Sequence, residues 1–374
     1  MRKMFVSQLR SGMEVSKTIY AGGGQVLIKA GTVLTQTMIS RLKRLGITAI
    51  YVEDGLLPDV EIEDVISEET RAHATALVKD ILIMEGSGQK KGLRVEQKLK
   101  ENLTKLLEQL MNNPTAMIKL SDIRAVDDYT FGHCVNVCVL SVLTGMEMNY
   151  SKEELFHLGL GAMLHDMGKI NVPDNILNKP SALTDEEFAV IKRHTEDGFH
   201  LLSGLKEISS ASANIALQHH ERSNGDGYPR GIKGEEISRF ARVVAVTDVF
   251  DALTSNRVYR AANLPHEALE MFLGSGGFYY DHGVIKAFYQ RVAAFPTACF
   301  VQLGTGEIAA VIDTPKGQPL RPTVRVMFGL EGEFLSEPYE IALAEEHKVI
   351  VKRVVPEEEI QQLLNNGKKG FKMI

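Results

Sequence analysis

The sequence predicts a mainly α protein: a helical bundle with small β-containing modules at its N-terminal and C-terminal ends. Three observations carry this. Helical periodicity and capping signals dominate from about residue 115 to 295. Before residue 60, short β-type runs bracket a single helical pattern. After residue 297 the texture turns to apolar runs of strand composition. The organisation that follows is a small α/β accessory domain over 1–60, a helical connector over 61–118, a helical domain over 119–296 and a β-rich segment over 297–374.

Each element has its own signal. Gln25-Val26-Leu27-Ile28 and Ala49-Ile50-Tyr51-Val52 read as strands around a helix marked by Met38, Ile39, Leu42 and Leu45. Gly22-Gly23-Gly24 lacks the helix start and the Lys-Ser/Thr pair of a phosphate loop, so a hairpin or loop turn is expected. Ser67 caps a connector helix through Leu77, Ile81 and Leu82, and a loop over Gly86–Gly92 separates it from a second helix through Val95, Leu99, Leu103, Leu106 and Leu110. Both connector segments look packed on a neighbour or partner. Ser151 with Glu154, and Thr184 with Glu187, are capping boxes that open amphipathic helices. Runs at 308–312, 323–326 and 348–351 suggest a small C-terminal sheet, which the sequence leaves free to extend the N-terminal one. The polar tail around Gly367-Lys368-Lys369-Gly370 should fray.

Composition narrows the function. The 42 Lys and Arg against 48 Asp and Glu leave a net charge of −6, which argues against a protein that grips duplex nucleic acid. A small phosphate-bearing substrate is still allowed, because a few local cations outweigh a global charge. Three cysteines make no disulfide framework, so a reducing compartment is expected. The N-terminus turns polar at Ser7 and carries no signal-peptide stretch. The best membrane candidate, Val135–Val142, falls well short of the ~18–20 apolar residues a span needs. A cytoplasmic protein without a membrane span is the expectation.

The chemistry concentrates in the helical region, where seven of the 11 histidines fall between His133 and His220. Leu164-His165-Asp166-Met167-Gly168-Lys169 places a His-Asp pair near the end of the helix capped by Ser151, with Gly168 positioned to stop that helix. Gln218-His219-His220-Glu221 sets two imidazoles before the turn-rich Asn224-Gly225-Asp226-Gly227-Tyr228-Pro229. Asp248 and Asp251 are i,i+3 neighbours on an apolar helix, where carboxylates need a cation, an Arg or a metal as partner. Arg257 and Arg260 follow, suited to phosphate oxygens or to those carboxylates. His133 and His194, taken alone, are ordinary core or surface histidines. Imidazole nitrogen and carboxylate oxygen suit hard or borderline divalent metals, and five histidines with two aspartates are what a two-metal site consumes. Cys134 and Cys138 lie among valines and leucines and read as packing rather than as ligands.

These motifs, in this order, resemble the HD-GYP family of metal-dependent phosphohydrolases over roughly residues 120–295. The resemblance rests on Tyr129-Thr130-Phe131-Gly132-His133, His165-Asp166-Met167-Gly168-Lys169, Lys179-Pro180, His194, His219-His220-Glu221, Gly227-Tyr228-Pro229 and the Asp248 to Arg260 segment. Leu9-Arg10-Ser11-Gly12-Met13 is similar to an accessory domain found ahead of some members. The resemblance implies an HD-type bundle whose metal ligands are His133, His165, Asp166, His194, His219, His220 and Asp248, with Asp166 bridging. It implies that Lys169 faces the scissile phosphate, that Arg257 and Arg260 bind phosphate oxygens, that Gly227, Tyr228 and Pro229 contact substrate, and that Asp127 lies near the reacting centre. It further implies hydrolysis of cyclic di-GMP to pGpG and/or GMP with two divalent ions, iron or manganese. Docking of diguanylate cyclase domains through the Gly-Tyr-Pro loop, and a homodimer, are compatible with it. Two departures stand out. Asn224 replaces the usual Asp of the loop, and Tyr129 stands where some members carry a Glu for a third metal, which favours two.

A hydroxide bridged between two cations would then attack phosphorus in line with the departing ribose 3′ oxygen. The leaving oxygen would take its proton from Asp127 or from a metal-bound water. Two alternatives of other kinds remain: a catalytically silent module that senses the nucleotide or docks a cyclase, and an HD phosphohydrolase of another cyclic dinucleotide.

Overall fold

The axis of the bundle is the helix Tyr129–Glu147, whose residues Cys134 to Leu143 are buried almost without interruption. A helix apolar on every side must be surrounded. The helices Glu68–Gly86, Lys152–Met163, Arg239–Thr254 and His282–Tyr289 pack against it. The few polar groups on this axis find partners inside the bundle: Ser141 Oγ lies 2.8 Å from Thr247 Oγ1, and Thr144 Oγ1 donates to the Leu140 carbonyl at 2.7 Å. This computed structural model describes residues 1–20, 25–45, 47, 49–62, 64–86, 92–114, 117–118, 129–255 and 263–367. Gly22-Gly23-Gly24, the loop residues 87–91 and the tail from 368 lie outside them.

The connector is part of the bundle rather than a free arm. Ser67 Oγ accepts from Thr70 N at 3.2 Å and starts the helix Glu68–Gly86. The helix Gly92–Asn112 buries Leu99, Leu103, Leu106, Leu107 and Leu110, a 3–4 residue repeat that forms one apolar face. Both capping boxes form: Ser151 opens Lys152–Met163 and Thr184 opens Asp185–Lys192.

At the N-terminus, Arg2–Phe5, Ala49–Glu53 and Glu14–Val15 form a three-stranded antiparallel sheet covered by the helix Gln36–Arg44. At the C-terminus five antiparallel strands run in the order Val351–Val354, Phe300–Leu303, Ile308–Asp313, Thr323–Phe328, Phe334–Ala342. The two sheets are separate, so the C-terminal strands do not extend the N-terminal sheet. The reason lies in their side chains. Strand alternation turns Val301, Ala309, Val311, Val324 and Val326 onto the bundle core. The opposite face offers Phe300, Ile308, Ala310 and Phe328 to Tyr51, Leu57, Val60 and Ile62 of the N-terminal module. A sheet apolar on both faces is a middle layer, held to the N-terminal module also by the buried Arg2 with Asp54 and Glu357. Among the described residues, no helix is long and apolar enough to cross a membrane.

Candidate metal centre

Five elements of the bundle deliver seven polar side chains to one interior point. His133 projects from the second turn of Tyr129–Glu147. The helix Lys152–Met163 ends at the cap residue Leu164, so His165 and Asp166 sit in the turn beyond it, before the 3-10 segment Met167–Asn171. Gly168 therefore does not stop the helix. Its role is close approach: a Cβ there would lie 2.0 Å from the His194 carbonyl oxygen and 2.5 Å from Gly198 N. This contact seats the His-Asp turn on the helix His194–Ser203, whose first residue is His194. His219 caps the end of Ser210–Gln218 and His220 follows it, while Asp248 comes from the middle of Arg239–Thr254.

Hydrogen bonds aim the rings. Nδ1 of His165, His194 and His219 donates to the carbonyls of Ala162, Ile191 and Ala216 at 2.7, 2.6 and 2.9 Å. Each Nε2 is thereby left with its lone pair facing inward. His165 Nε2 lies 3.5 Å from Asp166 Oδ2, and His194 Nε2 and His219 Nε2 lie 3.5 and 3.9 Å from Asp166 Oδ1. Asp248 Oδ1 is 3.0 Å from His133 Nε2 and 3.8 Å from His165 Nε2, and its Oδ2 is 3.8 Å from His220 Nδ1. Asp166 thus stands between two sets of nitrogens, and Lys169 Nζ reaches its Oδ2 at 2.6 Å.

The protonation states suit ligation, which needs neutral imidazoles and ionised carboxylates. Burial pushes the pKa of His194 down, that of His219 far down, and that of His220 to about 3. Burial opposes ionisation of Asp166 and Asp248, yet Lys169 beside the first and His133 beside the second hold both well below the usual carboxylate range. His133 differs: burial disfavours its charge, but Asp248 and Asp251 outweigh that and raise it to about 10.

The loop after His220 forms one wall. Gly225 has φ +88°, and a Cβ on Gly227 would lie 2.4 Å from Arg222 N and Glu221 Cα, so both positions need glycine. Asn224 Oδ1 accepts from Asp226 N at 3.1 Å while its Nδ2 donates to Asp226 Oδ2 at 2.6 Å. An aspartate could make the first bond but not the second. Tyr228 tilts over His220 with ring centroids 4.7 Å apart. Beside it opens a cavity of about 210 Å³, lined by Phe188, His219, His220, Tyr228 and Tyr280 among others.

Three groups within the cluster could each hold an ion: His133 with His165 and Asp166, His194 with His219 and His220, and His165 with His219 and Asp248. Two buried atoms, His165 Nε2 and Asp166 Oδ1, have no hydrogen-bond partner among the described residues. Orphaned acceptors in a polar interior are costly, and cations would satisfy them. The donor set therefore fits divalent metal ions. Asp127, Arg257 and Arg260 lie outside the described residues, as does the side chain of Tyr129. Cys134 and Cys138 are buried in the apolar core and belong to none of the three groups. Asp251, in the sequence a carboxylate in need of a partner, takes His133 Nδ1 at 2.6 Å. No local signal could have paired residues so far apart in the chain.

Two families and several known proteins match parts of the chain. A family described as "HD domain" matches residues 106–284, and one described as "KOW domain associated with HD domain" matches 300–363. A cyclic di-GMP phosphodiesterase of Pseudomonas aeruginosa is 36% identical over 219 residues, 59% of this chain and 53% of that protein. A cyclic di-GMP phosphodiesterase response regulator of Xanthomonas campestris pv. campestris is 33% identical over 249 residues, 66% of this chain and 65% of that one. A 3′3′-cGAMP-specific phosphodiesterase of Vibrio cholerae is 39% identical over 151 residues, 40% of this chain and 32% of that one. The chain spans 53% and 65% of the length of the first two relatives.

Proposed function

We propose that this chain, whose residues 106–284 match the HD domain family, is a metal-dependent phosphodiesterase of the HD-GYP type that hydrolyses cyclic di-GMP to pGpG and/or GMP. The observation that carries this reading is the convergence of seven buried or half-buried His and Asp side chains, Asp166 among them, at one interior point, where His165 Nε2 and Asp166 Oδ1 are left unpaired. His133, His165, Asp166, His194, His219, His220 and Asp248 would hold two divalent ions, iron or manganese, with Asp166 shared between them. When bound, such ions polarise a phosphate and lower the pKa of a water toward neutrality.

The protein's own residues do the rest. Lys169, tied to Asp166 by a 2.6 Å contact, carries a positive charge to the edge of the centre, where it meets charge that develops on equatorial phosphate oxygens. That same contact outweighs burial and raises the ammonium's pKa, so it stays charged through the neutral range. Tyr228 and Phe188 wall the cavity beside His220 with aromatic surface suited to a nucleobase. Arg257 and Arg260 are proposed for the remaining phosphate oxygens, and Asp127 for the proton delivered to the ribose 3′ oxygen. Gly227, Tyr228 and Pro229 would contact substrate and offer a docking edge to diguanylate cyclase domains.

The similarity to a 3′3′-cGAMP-specific enzyme supports a second reading, a phosphodiesterase for a mixed cyclic dinucleotide. Metal-loaded protein incubated with equal concentrations of cyclic di-GMP and 3′3′-cGAMP, with linear products separated by chromatography, discriminates the two. Faster loss of cyclic di-GMP with appearance of pGpG or GMP is expected. Faster loss of 3′3′-cGAMP supports the second reading. Binding without turnover in a verified metal-loaded sample points to a silent receptor.

A further inference from the structure

We propose that Arg71, on the connector helix, is a positioning residue for the metal centre: through Asn136 and Asp251 it fixes the ring of His133. Arg71 is only 3% exposed, and its Nη1 donates to Asn136 Oδ1 at 2.9 Å. Asn136 Nδ2 donates to Asp251 Oδ1 at 3.1 Å, and Asp251 Oδ2 takes His133 Nδ1 at 2.6 Å. His133 Nε2 then faces Asp248 Oδ1 at 3.0 Å. All four residues are buried.

The direction of this chain is fixed by its chemistry. Arginine has donors only and an ionised carboxylate has acceptors only, so the amide between them can sit one way round. Asp251 is thereby held by a polarised N–H on one oxygen and left to accept from His133 on the other. That makes Nδ1 the donor atom and turns Nε2 toward Asp166 and Asp248. The register explains why one arginine is enough. Asn136 follows His133 by three residues on its helix, and Asp251 follows Asp248 by three on the facing helix, so each pair lies along one helical face. Arg71, from a third helix, closes the outer end of this ladder.

Packing alone does not account for Arg71. Its Nε and Nη2 have no hydrogen-bond partner among the described residues, so a buried guanidinium is kept where an apolar side chain of similar volume would be cheaper to bury. The connector helix, outside the sequence motifs of the metal centre, thus becomes part of the support of one ligand.

The proposal rests on the metal-centre reading, and Mn²⁺ titration of the full chain by calorimetry separates the two. Wild type should bind two equivalents. Arg71→Met should weaken one ion by about 10–100-fold, the range for lost support of a metal-binding histidine, and leave the other near wild type. Arg71→Lys should recover part of that loss. Thr75→Val, which removes a hydroxyl bonded to the Arg71 carbonyl on the same buried turn, should bind both ions as wild type does. If Arg71→Met does not fold, Arg71→Gln, which keeps an N–H donor at lower charge, replaces it with a smaller expected loss. Wild-type affinity in the Arg71 variants, or an equal loss in Thr75→Val, overturns the link alone. Failure of wild type to bind Mn²⁺ overturns the metal centre and the link together.

Discussion

A methyl group on Gly168 would have to occupy space that backbone atoms of His194 and Gly198 already fill. The added Cβ would lie 2.0 Å from the His194 carbonyl oxygen, whereas ordinary contact begins at 3.4 Å, so turn and helix must separate by about 1.4 Å. No side-chain rotation relieves the clash. Overpacking with a methylene costs roughly 1–3 kcal/mol where side chains can yield, and a backbone clash belongs at the upper end, about 3 kcal/mol. For a domain of this size that lowers Tm by roughly 6–12 °C. The separation also pulls His194 Nε2 away from Asp166 Oδ1, now 3.5 Å apart. A misplacement of about 1 Å at a reacting centre costs on the order of 10²-fold in rate. Differential scanning fluorimetry of Gly168→Ala measures the loss of stability, Mn²⁺ titration the displaced ligand, and cyclic di-GMP turnover by the metal-loaded variant the loss of rate. Gly198→Ala is the comparison: its Cβ would meet Gly168 N at 3.2 Å, so it should be much milder. Wild-type Tm and Mn²⁺ affinity in Gly168→Ala, or a larger effect in Gly198→Ala, would refute the close-approach explanation.

Other expected outcomes concern stability, pH and the cavity. Ser151→Ala removes a capping box remote from the centre, so it should cost about 1 kcal/mol in denaturant unfolding while Mn²⁺ affinity stays unchanged. In metal-free protein, His194, His219 and His220 have pKa values lowered by burial, so the unfolded chain binds more protons than the native one below about pH 6.5. The stability tied to these neutral rings is present above that pH and is lost as pH falls, for His220 down through about 3. His133, raised to about 10, acts in the opposite sense: its contribution is full below about 6.5 and fades as pH rises through 10. Metal-free Tm should therefore drop between pH 7 and 5, and a flat profile there would contradict three neutral buried imidazoles. Tyr228→Ala removes the ring over His220 and should raise KM for cyclic di-GMP more than it lowers kcat; an unchanged KM would exclude contact between this ring and the substrate.

Much of this architecture is legible in the sequence because its signals are local. The capping boxes at Ser151 and Thr184 mark helix starts, and the apolar run around Val135–Val142, broken only by Asn136 and Ser141, has the composition of a buried helix. His165, Asp166, His219, His220 and Asp248 stand out for the same reason, as each interrupts an apolar helix or sits near its end, whereas His133 and His194 taken alone do not. What the sequence does not reveal depends on contacts between distant segments. Gly168 has the residue type of a helix stop, and only the nearness of His194 shows that it is there for close approach. The C-terminal strands carry apolar residues on both faces, but nothing in their pattern says that one face meets the bundle and the other the N-terminal module. Arg71 lies on a connector helix without motif, 65 residues before its partner Asn136.

The most direct test is turnover of cyclic di-GMP by the full chain loaded anaerobically with iron or manganese, beside Asp166→Ala, with metal content measured on the same samples. Wild type should hold two ions per chain and release linear product. Asp166→Ala should lose the ions and fall to background. Undiminished hydrolysis by Asp166→Ala, or by a wild-type sample stripped of metal, would contradict a reaction centred on Asp166 and the ions it would share.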